Sequence, residues 1–180
     1  MYLHGSLSNL KYQKGRKIMD KKKERIISLL VYNKPDVLAR VAGTLGGKGF
    51  NIESLCVDVT LNPDVSKIIL TTIQSKSNAS KIEKQLERLI DVVKVEDLTD
   101  VETIKREMVL IRMTLTEATK SDLIRTINAL NCKIITFNTD HCVLEYTGSK
   151  DEVDRVLEQL KALGVDDIAR TGIAALERKN

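Results

Sequence analysis

Two histidines and three cysteines bound the metal and covalent chemistry open to this 180-residue chain. His4 lies in a basic N-terminal tail and His141 near a turn. No His-x-x-x-His pair and no Gly-x-Ser-x-Gly elbow occurs. Cys132, His141 and Cys142 come nearest to a metal set, but a third soft ligand is missing. The cysteines read as small apolar strand residues. The same residues make a poor nucleophile–base pair, because nothing orients the base. No catalytic residue and no metal site is therefore expected. The cysteine count is odd, with no C-x-x-C, so neither a disulfide framework nor a four-cysteine zinc site organises the fold. A reducing, cytoplasmic setting follows as the expectation. The N-terminus has no apolar core of signal-peptide length.

The glycines at Gly43-Thr44-Leu45-Gly46-Gly47-Lys48-Gly49 imitate a phosphate loop without being one. A P-loop requires G-x-x-x-x-G-K-[ST] ahead of its helix. Here the spacing is one short, Gly49 stands where a hydroxyl is needed, and the glycines follow a helical pattern. They read as a helix terminator.

The stretch Asn33-Lys34-Pro35-Asp36-Val37-Leu38 is more informative. It follows a strand and opens a helix, with Pro35 expected in the first helical turn, where no donor is wasted. Free N–H groups and the helix dipole there favour an anion such as an α-carboxylate, by about 0.3–1 kcal/mol and up to about 2. Asn51 carries an amide oxygen that can accept from an ammonium. Val37, Leu38 and Ile52 supply aliphatic flanks. A capped helix beside a polar strand end would explain the same residues without any ligand.

The elements that must position these groups follow from periodicity. Arg25 to Val31 is a short apolar run suited to a buried strand, and Leu38, Val41, Ala42 and Leu45 fall on one helical face. Phe50 to Thr60 and Val65 to Gln74 read as strands joined at Asn62-Pro63-Asp64. Ser77 to Ser80 offers N-cap chemistry for a helix lined by Ile82, Leu86, Leu89 and Ile90. Val92 to Leu98 completes a βαββαβ order, the ferredoxin-like arrangement. The second half repeats it. Met108 to Leu115 is a strand, and Ser121 caps a helix bearing Leu123, Ile124, Ile127 and Leu130. Lys133 to Phe137 and Cys142 to Thr147 are strands. Val153, Val156, Leu157, Leu160 and Leu163 line a helix, and Val165 to Arg170 is the last strand before a short tail. The fold class is α+β, with two tandem βαββαβ domains: residues 25–98 and 105–180, joined by a linker at 99–104.

Composition agrees with a soluble globular protein: 42% hydrophobic and 30% charged residues. The net charge of +4 is misleading. Residues 1–24 carry seven Lys or Arg and two acids, whereas residues 25–180 carry 22 basic and 23 acidic residues. The tail reads as a disordered basic leader, and Met19 is an alternative start. A near-neutral body and 3% aromatics exclude a broad nucleic-acid footprint and stacking platforms. No apolar run is long enough to span a bilayer.

The pattern Asn33-x-Pro35-x-Val37-Leu38-x-Arg40-Val41-x-Gly43 is followed by Gly49-Phe50-Asn51-Ile52-Glu53-Ser54-Leu55-x-Val57. Together they resemble the ACT domain of the acetohydroxyacid synthase (acetolactate synthase) regulatory small subunit. The likeness continues through Ser66-Lys67-Ile68, Ile82-Glu83-Lys84-Gln85-Leu86, Leu89-Ile90-Asp91-Val92 and Arg106-Glu107-Met108-Val109-Leu110. It ends at Arg170-Thr171-Gly172-Ile173-Ala174-Ala175-Leu176-x-Arg178 and covers about residues 25–178.

The resemblance implies a noncatalytic subunit of branched-chain amino acid biosynthesis. Its large catalytic partner would hold thiamine diphosphate, magnesium and FAD and condense pyruvate with pyruvate or 2-oxobutyrate. The small subunit would raise that activity and confer feedback inhibition, typically by valine. It further implies a homodimer with effector sites between paired ACT domains, Asn51 coming from the other protomer. By that likeness the effector residues are Asn33, Asp36, Val37, Leu38, Asn51 and Ile52. Asp36 departs from the family's usual Gly, which lets backbone approach a ligand closely. Its carboxylate would repel an effector carboxylate, unless it caps the helix or points to solvent. Thr44-Leu45 stands where the family usually has Leu-Phe. Two other classes compete: a free-standing amino-acid-binding ACT protein that regulates another enzyme or a promoter, and a small enzyme on a ferredoxin-like scaffold. The match through the second half opposes the first, and the lack of a nucleophile, base or metal cluster opposes the second.

Overall fold

The computed structural model of the chain describes residues 21–178. The expected leader, residues 1–24, therefore lies mostly outside the described residues, as does Met19. Lys23 and Glu24 are not leader: they open the first strand, β1 (Lys23–Tyr32). Next come α1 (Val37–Gly46), β2 (Ser54–Val59), β3 (Val65–Gln74), α2 (Lys76–Leu86) and β4 (Val92–Asp97). The strands pair antiparallel in the order β2-β3-β1-β4, with Ile27 opposite Leu70 and Leu29 opposite Ile68. Both helices cover one face. Val37, Val41 and Leu45 of α1 and Ile82 and Leu86 of α2 pack on Ile27, Leu29, Val31, Ile68 and Leu70. The central strands are the most apolar because they are covered there by helices and elsewhere by the second half of the chain.

The second unit repeats the plan with β5 (Thr103–Thr114), α3 (Glu117–Leu130), β6 (Lys133–Phe137), β7 (His141–Gly148), α4 (Lys150–Lys161) and β8 (Val165–Arg170). Its order is β6-β7-β5-β8, and its core gathers Val109, Ile111, Met113, Leu123, Ile127, Leu144, Val153 and Leu160. A ninth strand, β9 (Ala174–Glu177), pairs with the start of β5, with Ile104 opposite Leu176. The segment read as a short tail is thus a strand, and the strand read from Met108 begins at Thr103. Ile173 and Ala175 then pack on Ile26, Ile69 and Leu98, on the face of the first sheet that α1 and α2 leave bare. This third cluster joins the two units.

Other boundaries move for local reasons. The strand expected from Phe50 starts at Ser54, because the Phe50 N–H bonds back to the Leu45 carbonyl at 3.0 Å, closing the helix end. Gly49 takes φ 73° in that closure, as a glycine readily does. Ser75, not Ser77 to Ser80, caps α2, and Thr116, not Ser121, caps α3 through a reciprocal capping box with Thr119.

Candidate functional site

The β1–α1 junction is built by hydrogen bonds to distant turns. Asn33 accepts no helix role: its N–H donates to the Asp64 carbonyl (2.8 Å) and its side-chain amide donates to the Pro63 carbonyl (3.0 Å). The loop is thereby pinned to the β2–β3 turn. Pro35 precedes the helix instead of sitting in its first turn, because Asp36 is the N-cap. Asp36 has φ 67°, a left-handed conformation that glycine adopts without strain, and its exposed side chain makes no cap hydrogen bond. The helix-capping alternative is therefore not realised. With no side-chain cap and no acid in the first turn, the opening N–H groups of α1 keep their capacity for an anion. Val37 is buried in the first core, whereas Leu38 is exposed beside the junction.

A buried carboxylate holds this junction from below. Asp91, 6% exposed, lies in the turn before β4. It receives Lys34 at 3.2 Å and is also bonded to Arg40 of α1, and its carbonyl accepts the Tyr32 N–H at 2.9 Å. Lys34 also sits 5.1 Å from the centre of the Tyr32 ring. One aspartate thus fixes the end of β1, the loop and the first turns of α1. Its place among apolar neighbours before a strand was the available signal, but the partners are over fifty residues away.

Asn51 and Ile52 lie elsewhere. Ile52 packs against the first core, and Asn51 is exposed ahead of β2. The Asn51 carbonyl accepts the buried Thr72 hydroxyl at 2.6 Å, and its side-chain NH2 donates to Glu53 at 2.9 Å. That bond uses the amide's donor side and leaves its oxygen as an acceptor. Glu53 adds a carboxylate beside it, a feature that sequence reasoning missed. Because β1 and β2 both run antiparallel to β3, they run parallel to each other. The end of β1 and the start of β2 therefore lie at opposite ends of the sheet. The six residues of β2 alone span about 20 Å. One chain does not bring Asn51 to Asn33, Asp36, Val37 and Leu38.

Burial pushes the thiols of Cys132 and Cys142 up, away from the reactive thiolate. Among the described residues no group of three or more His, Cys, Asp or Glu is arranged to hold a metal ion. No described helix is long and apolar enough to cross a membrane.

Two ferredoxin-like units in tandem, the first with an uncapped strand–helix junction and an asparagine at the opposite end of its sheet, define an ACT-type protein. Residues 27–94 match the family model for an AHAS small subunit-like ACT domain, and residues 106–179 match that for the small subunit of acetolactate synthase. The acetolactate synthase small subunit of Aquifex aeolicus is 35% identical over 158 residues, covering 87% of this chain and 82% of that one. The Bacillus subtilis small subunit is 32% identical over 156 residues, with 86% and 91% covered. The crystal structure of the Thermotoga maritima small subunit superposes with a TM-score of 0.80 at 33% identity, covering 88% of this chain and 99% of that one. The chain belongs to the acetolactate synthase small-subunit family.

Proposed function

We propose that this chain is the noncatalytic regulatory subunit of an acetolactate synthase. It raises the rate of a large catalytic subunit and makes that subunit sensitive to a valine-type amino acid bound between two copies of the chain. The observation that carries the reading is the separation of Asn51 from the β1–α1 junction. β2 is an edge strand with Val57 and Val59 exposed, a surface that invites a partner strand. Antiparallel pairing of β2 with its own copy would set Asn51 of the partner subunit at the end where Asn33 to Leu38 lie. The effector carboxylate would meet the N–H groups of Val37 and Leu38. Its ammonium would meet the Asn51 amide oxygen, with Glu53 adding negative charge. Leu38 and Ile52 would flank an aliphatic tail.

The test has three parts. Sedimentation at micromolar concentration should give a dimer. The chain alone should form no acetolactate but should raise the rate of the catalytic subunit. Asn51→Ala should weaken valine inhibition by about tenfold to a hundredfold, the loss of one hydrogen bond to a charged group worth about 1.5–3 kcal/mol, while activation persists. Acetolactate from the chain alone, or no rate change on mixing, defeats the regulatory-subunit reading. An unchanged valine curve in Asn51→Ala defeats the placement of the effector.

A further inference from the structure

The opening N–H groups of α1 can serve an anion only while the loop before them keeps its shape. That loop, Asn33 to Asp36, has little of its own to hold it. Pro35 has no N–H to donate, and the Asp36 side chain makes no cap bond. Its support comes from neighbouring turns. On one side Asn33 is tied to the Asp64 and Pro63 carbonyls. On the other side stands Asp91.

Asp91 meets three pieces of chain with three different oxygens. Its Oδ1 accepts from Lys34 at 3.2 Å, its Oδ2 accepts from Arg40, and its carbonyl accepts the Tyr32 N–H at 2.9 Å. Residues 32, 34 and 40 bracket Val37 and Leu38, whose N–H groups open the helix. Among the described residues Lys34 and Arg40 form ion pairs with Asp91 alone. Asp91 is 6% exposed, and its neighbours Leu89 and Val92 pack against the first core. For stability alone an apolar residue of similar size would serve there about as well, because desolvation offsets much of what a buried ion pair contributes. The carboxylate adds direction. Each oxygen holds one cation, and with it the loop on one side and the first turns of the helix on the other.

We propose that Asp91 is a positioning residue of the effector site: through Lys34 and Arg40 it holds the β1–α1 loop in the shape that presents the Val37 and Leu38 N–H groups to the effector carboxylate. The proposal rests on the regulatory-subunit reading and deepens it. Charge and position make opposite forecasts for this residue. Asp91 puts a negative charge near an anion site, so by charge alone its removal would tighten effector binding. By position, its removal frees two long side chains and the loop, which the effector must then order again, and binding weakens.

The experiment measures valine binding to the full chain by calorimetry, well below each variant's melting temperature, with circular dichroism to show that the variants are folded. Asp91→Asn keeps the size of the side chain and removes its charge. Its valine Kd should rise roughly tenfold, the effect of re-ordering two long side chains. Arg40→Met changes a half-exposed side chain and should raise Kd about threefold. Arg40→Lys, which keeps a cation for Oδ2, should recover most of that loss. Adding Arg40→Met to Asp91→Asn should weaken binding no further, because both break one contact. Unchanged or tighter binding in either folded single variant overturns the positioning role, as does a loss in the double variant equal to the product of the two single losses. If Asp91→Asn does not fold, Arg40→Met and Arg40→Lys decide, and equal affinities in those two overturn the role. A parent chain that binds no valine overturns the effector reading of the junction itself, and the positioning role with it.

Discussion

At the residue scale, Asp36 carries the largest conflict between local conformation and side chain. At φ 67° an L-residue gives up about 1–2 kcal/mol in general, less for aspartate, which tolerates the left-handed region better than most. Among the described residues nothing offsets this, since the carboxylate makes no cap bond and is exposed. A glycine at this place would be favoured by the backbone as much as by ligand approach. Asp36→Gly should therefore raise the melting temperature by a few degrees, the equivalent of about 0.5–1 kcal/mol. It should also tighten valine binding if the carboxylate faces the ligand. At about 5 Å and an effective dielectric of about 20, the repulsion removed would be roughly 3 kcal/mol. Calorimetry on the isolated chain reads both effects. Higher stability with unchanged affinity would mean that the side chain points away from the effector. Lower stability would mean that the left-handed turn is not what favours glycine here.

At the element scale, the capping box of α4 makes a pH-dependent contribution. The N–H and hydroxyl of Ser149 donate to the Glu152 carboxylate at 2.7 and 2.8 Å, holding its pKa below the ordinary 4.5. A carboxylate with a depressed folded pKa adds stability above its unfolded pKa and loses it as pH falls through the folded one. Glu152→Gln, which removes the titrating group, should lower the melting temperature at neutral pH and flatten its fall as pH drops below the ordinary glutamate range. Parallel melting curves for variant and parent across that range would show that the box is not a source of acid sensitivity. The same element scale shows what the sequence could and could not disclose. β3, β6 and β8 begin and end where their turn residues and apolar runs place them. The caps at Ser75 and Thr116 escaped because several hydroxyl residues compete near each helix start, and the chain's entry angle decides between them. β9 escaped because its partner, Thr103–Arg106, lies some seventy residues earlier and has no alternating pattern of its own. The strand–helix junction at Asn33 to Leu38 was legible because its signal is contiguous. Asp91 acts on partners more than fifty residues away, which periodicity does not encode.

At the scale of the whole molecule, the question is whether the two units behave as one. Their seam has an apolar part, in which Ile173 and Ala175 pack on Ile26, Ile69 and Leu98. Beside it is a cavity of about 320 Å³ bordered by Glu53, Glu107 and Arg170. Across the cavity Lys150 of α4 pairs with Glu24 of β1. Glu107, 5% exposed, holds the Arg170 guanidinium at 2.6 and 2.8 Å. Gly172 turns the chain out of β8 with φ 75°, and a Cβ there would touch the Leu55 carbonyl and the Ser54 Cβ, each at 3.4 Å. The contact is tolerable but the backbone is not, so Gly172→Ala should cost about 1–2 kcal/mol. Lys150→Met removes a half-exposed ion pair and should cost only about 0.2–1 kcal/mol. Denaturant unfolding should therefore show a single transition for the parent, a clear loss of stability for Gly172→Ala and a slight one for Lys150→Met. If the glycine positions Ile173 and β9, its variant should also separate the transition into two steps, the C-terminal unit no longer being anchored on the first sheet. A larger loss for Lys150→Met than for Gly172→Ala would make the seam electrostatic. A parent that already unfolds in two steps would mean that the third apolar cluster is too small to couple the units.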